Sequence, residues 1–216
     1  MGSLGGEMSE VDFATDLCTR LCHDLAGSVG AVVAGTELIE DEDDPAQIRE
    51  TASLLTRAAE AVAIRLRFLR LAFGTASTES LPRDDLPRLT SQWAEVAAPG
   101  VAVRWIEDGQ RFRLSGKHIQ MALCMFLLAV ERLPRGGVVE ICPAEGGIQV
   151  RASGPTLRPA PEITRILSGQ TTFSGPRQAP IFLLHQLVQQ DTASFSVEST
   201  DSQITFLLTL SRVACE

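Results

Sequence analysis

Hydrophobic positions between Val11 and Ile39 recur at spacings of mostly three and four, through Ala14, Cys18, Leu21, Leu25, Val32 and Ile39, with Ser28 in register. Only a helix puts such positions on one face. The run "EDEDDP" closes that helix with carboxylates that oppose the macrodipole at a C-terminus, and Pro45 suits the first turn of the next. There Ile48, Ala52, Leu55, Ala59, Val62, Leu66, Leu69 and Phe73 alternate four and three, with Gly74 as a natural stop. Each helix runs roughly 40 Å at about 1.5 Å per residue, and the loop between them is short, so the pair forms a hairpin. One apolar face of a hairpin has nothing inside the hairpin to cover all of it. A second copy supplies the cover by forming a dimeric four-helix bundle, the expectation adopted here; packing onto the C-terminal half of the same chain is the competing arrangement.

Beyond "GTASTESLPRDDLP" the period changes. "GVAVRWIEDG", "RFRLSG", "GGVVEICPAEGGIQVRASGP" and "TASFSVESTDSQITFLLTLSRV" alternate, or carry short apolar runs between turn residues, and read as strands. Two stretches read as helices, about His118 to Leu133 and Pro180 to Gln190. The expected fold class is α+β, with a helical hairpin over residues 9–75 and a two-layer α/β sandwich over residues 84–215.

Composition narrows the function. In a chain of 216 residues that is 44% hydrophobic, a core is available and disorder is excluded. A formal net charge of -8 argues against nucleic acid or an anionic membrane as partner. Without a run of 18 apolar residues or a recognisable leader, the expected location is the cytoplasm. The five cysteines are odd in number and lie mostly among apolar neighbours, as reduced thiols do.

Against this background "TRLCHDLAGSVGAVVAG" stands out, because it sets His23 among apolar and very small residues. His23 is two residues from both Leu21 and Leu25, about 200° of rotation from each, and so points away from the predicted core. Gly27, Gly30 and Ala34 follow on its own face, although glycine costs up to about 1 kcal/mol at a mid-helix position. Close approach of another surface to the imidazole explains the pattern; tight packing by small residues explains it as well. An exposed imidazole can act as a nucleophile through one nitrogen while the other is held as a donor. Asp24 is near enough to fix the tautomer or stabilise a charged phospho-imidazole, and Arg20 shares the histidine's face and suits phosphoryl oxygens or an acidic partner. A metal site at Cys18, Cys22 and His23 is disfavoured, since His23 diverges from the cysteines and no fourth ligand is evident.

The segment "RLCHDLAGSVGAVVAGTELIEDE" resembles the ChpT family of alphaproteobacterial histidine phosphotransferases, built like a histidine kinase's dimerisation hairpin followed by a degenerate ATPase-like domain. Domain order, length and the hairpin extend the likeness over nearly the whole chain. It implies that His23 takes a phosphoryl group from the receiver aspartate of a hybrid histidine kinase and gives it to the receiver aspartate of a response regulator, which in the family controls the cell cycle. Asp24 matches the acidic residue after the phosphoacceptor, and Arg20 a neighbouring basic position. Ser28 departs from the family pattern, standing where relatives often have proline. The Mg²⁺ of the reaction belongs to the receiver, and the chain itself is expected to carry no cofactor.

The same likeness sets the positions where kinases hold nucleotide against Cys124, Leu128, Ala152 and the stretch "PRQAPIFLL". Cys124 and Leu128 are poor Mg²⁺ ligands, and Pro176 and Pro180 remove amides that a phosphate cradle needs. ATP binding is therefore not expected. His118, His185, Trp93 and Trp105 read as ordinary packed residues, while Arg57, Arg65, Arg67 and Arg70 are candidate receiver contacts or simply solvated surface. Two rivals remain: an ATP-dependent histidine kinase core, and a non-catalytic dimeric scaffold.

Overall fold

The computed structural model describes residues 9–74, 85–106, 115–168, 173, 175–191 and 193–210. Two long antiparallel helices open the chain, α1 (Glu10–Glu40) and α2 (Pro45–Phe73). Ser9 caps α1 by accepting from the Asp12 amide at 3.1 Å. Part of the acidic turn works for the hairpin, since Asp44 is the N-cap of α2 and accepts from the Ala46 amide at 2.9 Å. A carboxylate there meets the positive end of the macrodipole, which offsets its neighbours at the end of α1.

The single apolar stripe expected along α1 divides in two. Leu21, Leu25, Ser28, Val32 and Ile39 are half-buried, as are Ile48, Leu55 and Val62 of α2, and they form the inside of the hairpin. Val11, Ala14 and Cys18 stand exposed, with Cys22, Val29 and Val33 continuing their side of the helix. No residue of α1 is fully buried. A two-helix hairpin can close only one face, so the second apolar strip stays uncovered by the described residues.

The rest is one mixed sheet with helices packed against it. Its strands are β1 (Val101–Trp105), β2 (Gly137–Ala144), β3 (Gly147–Ser153), β4 (Ala193–Ser199) and β5 (Gln203–Leu210), in the order β1-β2-β3-β5-β4. β1 and β2 are parallel and the other pairs antiparallel. Register aligns Trp105, Ile141, Val150, Phe206 and Val197 across the sheet, and Val139, Ala152 and Ile204 in the next row. Against that face lies α4 (Gly116–Val130), buried without a break from Gln120 to Val130 because the sheet, α2 and α6 (Ala179–Gln190) surround it.

Both helices read from the sequence are present, α4 beginning two residues early and ending sooner. Of the expected strand at 111–116, residues 111–114 lie outside the described residues, and Ser115 is the N-cap of α4. Two helices were not announced. In α3 (Leu86–Ala97) the buried set Leu86, Leu89, Thr90, Trp93 and Ala94 has helical spacing, whereas α5 (Pro161–Leu167) is too short to show a period.

Hairpin and sheet domain are joined at the foot of α2. Phe68 packs on Trp93 of α3 and Phe126 of α4, with ring centroids 4.8 and 5.7 Å apart. Phe13 of α1 meets Phe182 of α6 at 4.5 Å. Packing on the same chain, the competing arrangement, thus takes the lower hairpin, and leaves the upper part and the second strip of α1 open. No helix among the described residues is long and apolar enough to cross a membrane.

Candidate functional site

His23 stands on α1 just above this junction. Its side chain is 86% exposed, on the side away from Leu21 and Leu25. Gly27, Gly30 and Ala34 continue the same exposed face. A Cβ added to Gly27 or Gly30 would meet nothing within 4 Å among the described residues, so packing between them does not explain these glycines. Gly35 is the contrast, since a Cβ there would come within 2.8 Å of Leu55 Cγ between the two helices. Beside His23 the helix offers a flat, unobstructed surface for another molecule's backbone or loops.

Neighbouring residues on a helix do not face each other, yet Asp24 turns Oδ1 toward His23 Nδ1, at 3.4 Å. Its other oxygen, Oδ2, accepts from Arg20 Nε at 2.8 Å. Asp24 and Arg20 side chains are only 20% and 11% exposed, because the sheet domain closes over them. Arg20 does not extend freely from the histidine's face: its Nη2 donates to Glu131 Oε1, at the C-cap of α4, at 2.7 Å. Burial works against this guanidinium, but Glu131 and Asp24 outweigh it and hold its pKa above the ordinary value. An ionised carboxylate can only accept, so this contact favours the tautomer with the proton on Nδ1 and the lone pair on the exposed Nε2.

Arg65 fastens the same turn from behind. Its Nη1 donates to the Asp24 carbonyl at 2.7 Å and its Nη2 to the Val96 carbonyl at the end of α3, so it is structural and not free to grip a partner. Arg57 and Arg70 are exposed, and Arg67 lies 3.7 Å from Asp85. Glu131 was not legible as a site residue, because nothing near it in the chain points to His23.

Three of the positions matched to nucleotide ligands lie in the core, whereas Pro176–Gln178 of the matched stretch form a short turn with no buried residue. Cys124 and Ala152 are fully buried and Leu128 nearly so. Burial pushes the Cys124 thiol up to about 12, leaving it protonated and inert. Next to Leu128 a cavity of about 280 Å³ separates α4, α5 and α6, and its polar wall is partly self-paired, Arg132 with Glu162. His118 completes a capping box with Ser115 and reaches Asp191 Oδ2 at 3.2 Å, and His185 packs on Phe173. Cys18 and Cys22 are exposed, and no three metal-ligating side chains converge among the described residues.

The chain joins a helical hairpin that presents an exposed imidazole to an α/β sheet domain, and its relatives show its class, a phosphotransferase of the phosphorelay type. Residues 91–203, more than half of the chain, match the family model described as the histidine phosphotransferase C-terminal domain, and the chain belongs to that family. It is 28% identical over 217 residues to the protein phosphotransferase ChpT of Brucella abortus (strain 2308), covering 94% of this chain and 98% of that protein. The fold is shared with a bacterial phosphotransferase of solved structure, with a TM-score of 0.77 and 24% identity over 95% of this chain and all of that one.

Proposed function

We propose that the chain relays a phosphoryl group through His23, from the receiver aspartate of a hybrid histidine kinase to the receiver aspartate of a response regulator. The observation that carries this reading is the solvent-facing imidazole whose inner nitrogen meets Asp24. In the forward step the Nε2 lone pair attacks phosphorus in line, an N–P bond forms, and the aspartyl O–P bond breaks with the electron pair leaving on the carboxylate. Nδ1 keeps its proton, so the product is a phospho-imidazolium whose charge Asp24 offsets. The reverse step serves the second receiver. Mg²⁺ and the acidic pocket are the receiver's contribution, and this chain's is position and a nucleophile.

Gly27, Gly30 and Ala34 form the landing surface, and Arg20 serves the site through Asp24. The division of labour assigns transfer to the hairpin, residues 9–75, and support to an ATPase-like domain, residues 84–215, that works without nucleotide. A second copy covers the exposed strip of Val11, Cys18, Cys22, Val29 and Val33, giving a homodimer with a four-helix core. By likeness to the family the output is control of the cell cycle, and receivers as partners place the chain in the cytoplasm.

The test is incubation with a phosphorylated receiver. Acid-labile, base-stable label on His23 is expected, and His23→Ala should fold normally and transfer in neither direction. Label elsewhere, or transfer retained by His23→Ala, sinks the relay. Receiver binding without any transfer would leave a scaffold, and label from ATP alone would make the chain a kinase.

A further inference from the structure

Glu131 sits where helix energetics do not want it. A carboxylate at the C-cap of α4 faces the negative end of the macrodipole, and the last turn of α4 holds no basic residue to offset it. Its partners lie outside its own helix: Oε1 accepts from Arg20 at 2.7 Å, and Oε2 lies 3.5 Å from Nη2 of the adjacent Arg132. Arg132 in turn pairs with Glu162 of α5 at 2.5 Å. This short ionic chain starts in α5, passes the C-terminal end of α4, the best-buried helix of the sheet domain, and ends one residue from the candidate phosphoacceptor.

The Arg20 fork explains what the chain accomplishes. Asp24 follows His23 in sequence, about 100° further round the helix, so its carboxylate meets the imidazole only if its rotamer is held. Arg20, one turn earlier, binds Oδ2 and leaves Oδ1 to face Nδ1. Arginine is long and rich in rotamers, and unaided it would spread over many positions. Glu131 takes the other end of the guanidinium, so both ends are fixed and the plane of the carboxylate with them.

We infer that Glu131 is a positioning residue for phosphoryl transfer, acting through Arg20 and Asp24 to keep the proton of His23 on Nδ1 and its lone pair on the outward Nε2. The inference rests on the proposed relay, and it gives the sheet domain a direct part in the chemistry that needs no nucleotide. A merely structural ion pair would tie the domain to the hairpin and leave the imidazole's tautomer alone.

Glu131→Gln keeps the shape and removes the charge. In this variant, phosphorylation of His23 by a phosphorylated receiver should slow roughly tenfold, the loss expected when one charge-assisted hydrogen bond is weakened. The ¹⁵N shifts of the His23 ring, read on the full-length chain without any receiver, should move from a single Nδ1–H form to a mixture of tautomers. Arg20→Lys, which keeps the charge but loses the fork, should do the same, and Glu131→Asp should recover part of the rate. An unchanged tautomer and unchanged rate in a folded Glu131→Gln protein would overturn the inference. So would slower transfer with an undisturbed ring, which assigns Glu131 to the interface alone. Absence of label on His23 in the unaltered protein would instead fell the relay itself, a result separable from the ring spectrum.

Discussion

The imidazole of His23 and the thiol of Cys124 occupy opposite environments, and each is set by its surroundings more than by its own chemistry. His23 stands in water, with Asp24 turned to one nitrogen. Cys124 lies against the Ala72 carbonyl at 3.9 Å, and its ionisation is raised from about 9 to about 12 by burial. Below pH 9 the thiol is protonated in both folded and unfolded chains and changes nothing. Between pH 9 and 12 the unfolded thiol ionises while the folded one does not, so stability is lost at about 1.4 kcal/mol per pH unit. The chain has no tyrosine and one lysine, which leaves this alkaline loss unusually easy to see. Cys124→Ala should flatten the urea midpoint against pH above 9, at a cost of about 1–2 kcal/mol near neutrality for the space it opens. Alkylation should spare Cys124 in the native protein, and should reach Cys18 and Cys22 only once the proposed dimer is dissociated.

At the level of elements, α1 presents four different faces along one length. Leu21, Leu25 and Val32 turn to α2, Phe13 and Arg20 to the sheet domain, Val29 and Val33 to solvent as an apolar strip, and His23 with its glycines to solvent as open ground. The glycines separate helix stability from function. Alanine fits sterically at 27 and at 30, so Gly27→Ala and Gly30→Ala should each stabilise the helix by up to about 1 kcal/mol in thermal unfolding. If a receiver lands there, the added methyl groups should slow phosphoryl transfer in these same variants; faster or equal transfer would remove the glycines from the landing surface. Gly35→Ala should behave in the opposite way, losing stability because Leu55 must move.

Over the whole molecule, His23, the proposed phosphoacceptor, sits where hairpin and sheet domain meet. Arg65 ties α1, α2 and α3 through two carbonyls, while the Phe68, Trp93 and Phe126 cluster joins the hairpin foot to the core. The proposed dimer belongs to this scale as well, since the strip through Val11, Val29 and Val33 is left exposed by the described residues. Sedimentation should find twice the chain mass at micromolar concentration, and Val29→Asp with Val33→Asp should reduce it to one. A native protein that sediments as a monomer would leave the strip without its proposed cover.

Periodicity along the chain was enough to announce the hairpin, α4, α6 and the strands within 136–155, because a helix or strand face is written in residues a few positions apart. It was enough, too, to turn His23 away from Leu21 and Leu25 and to place small residues beside it. Tertiary structure decided what spacing cannot encode: the division of the α1 stripe into a covered and an open strip, the enclosure of α4 on every side, and the role of Arg65 behind the site. It alone brought Glu131 to Arg20, a meeting between residues far apart in the chain. Such contacts depend on how finished elements pack, and no local pattern carries that information.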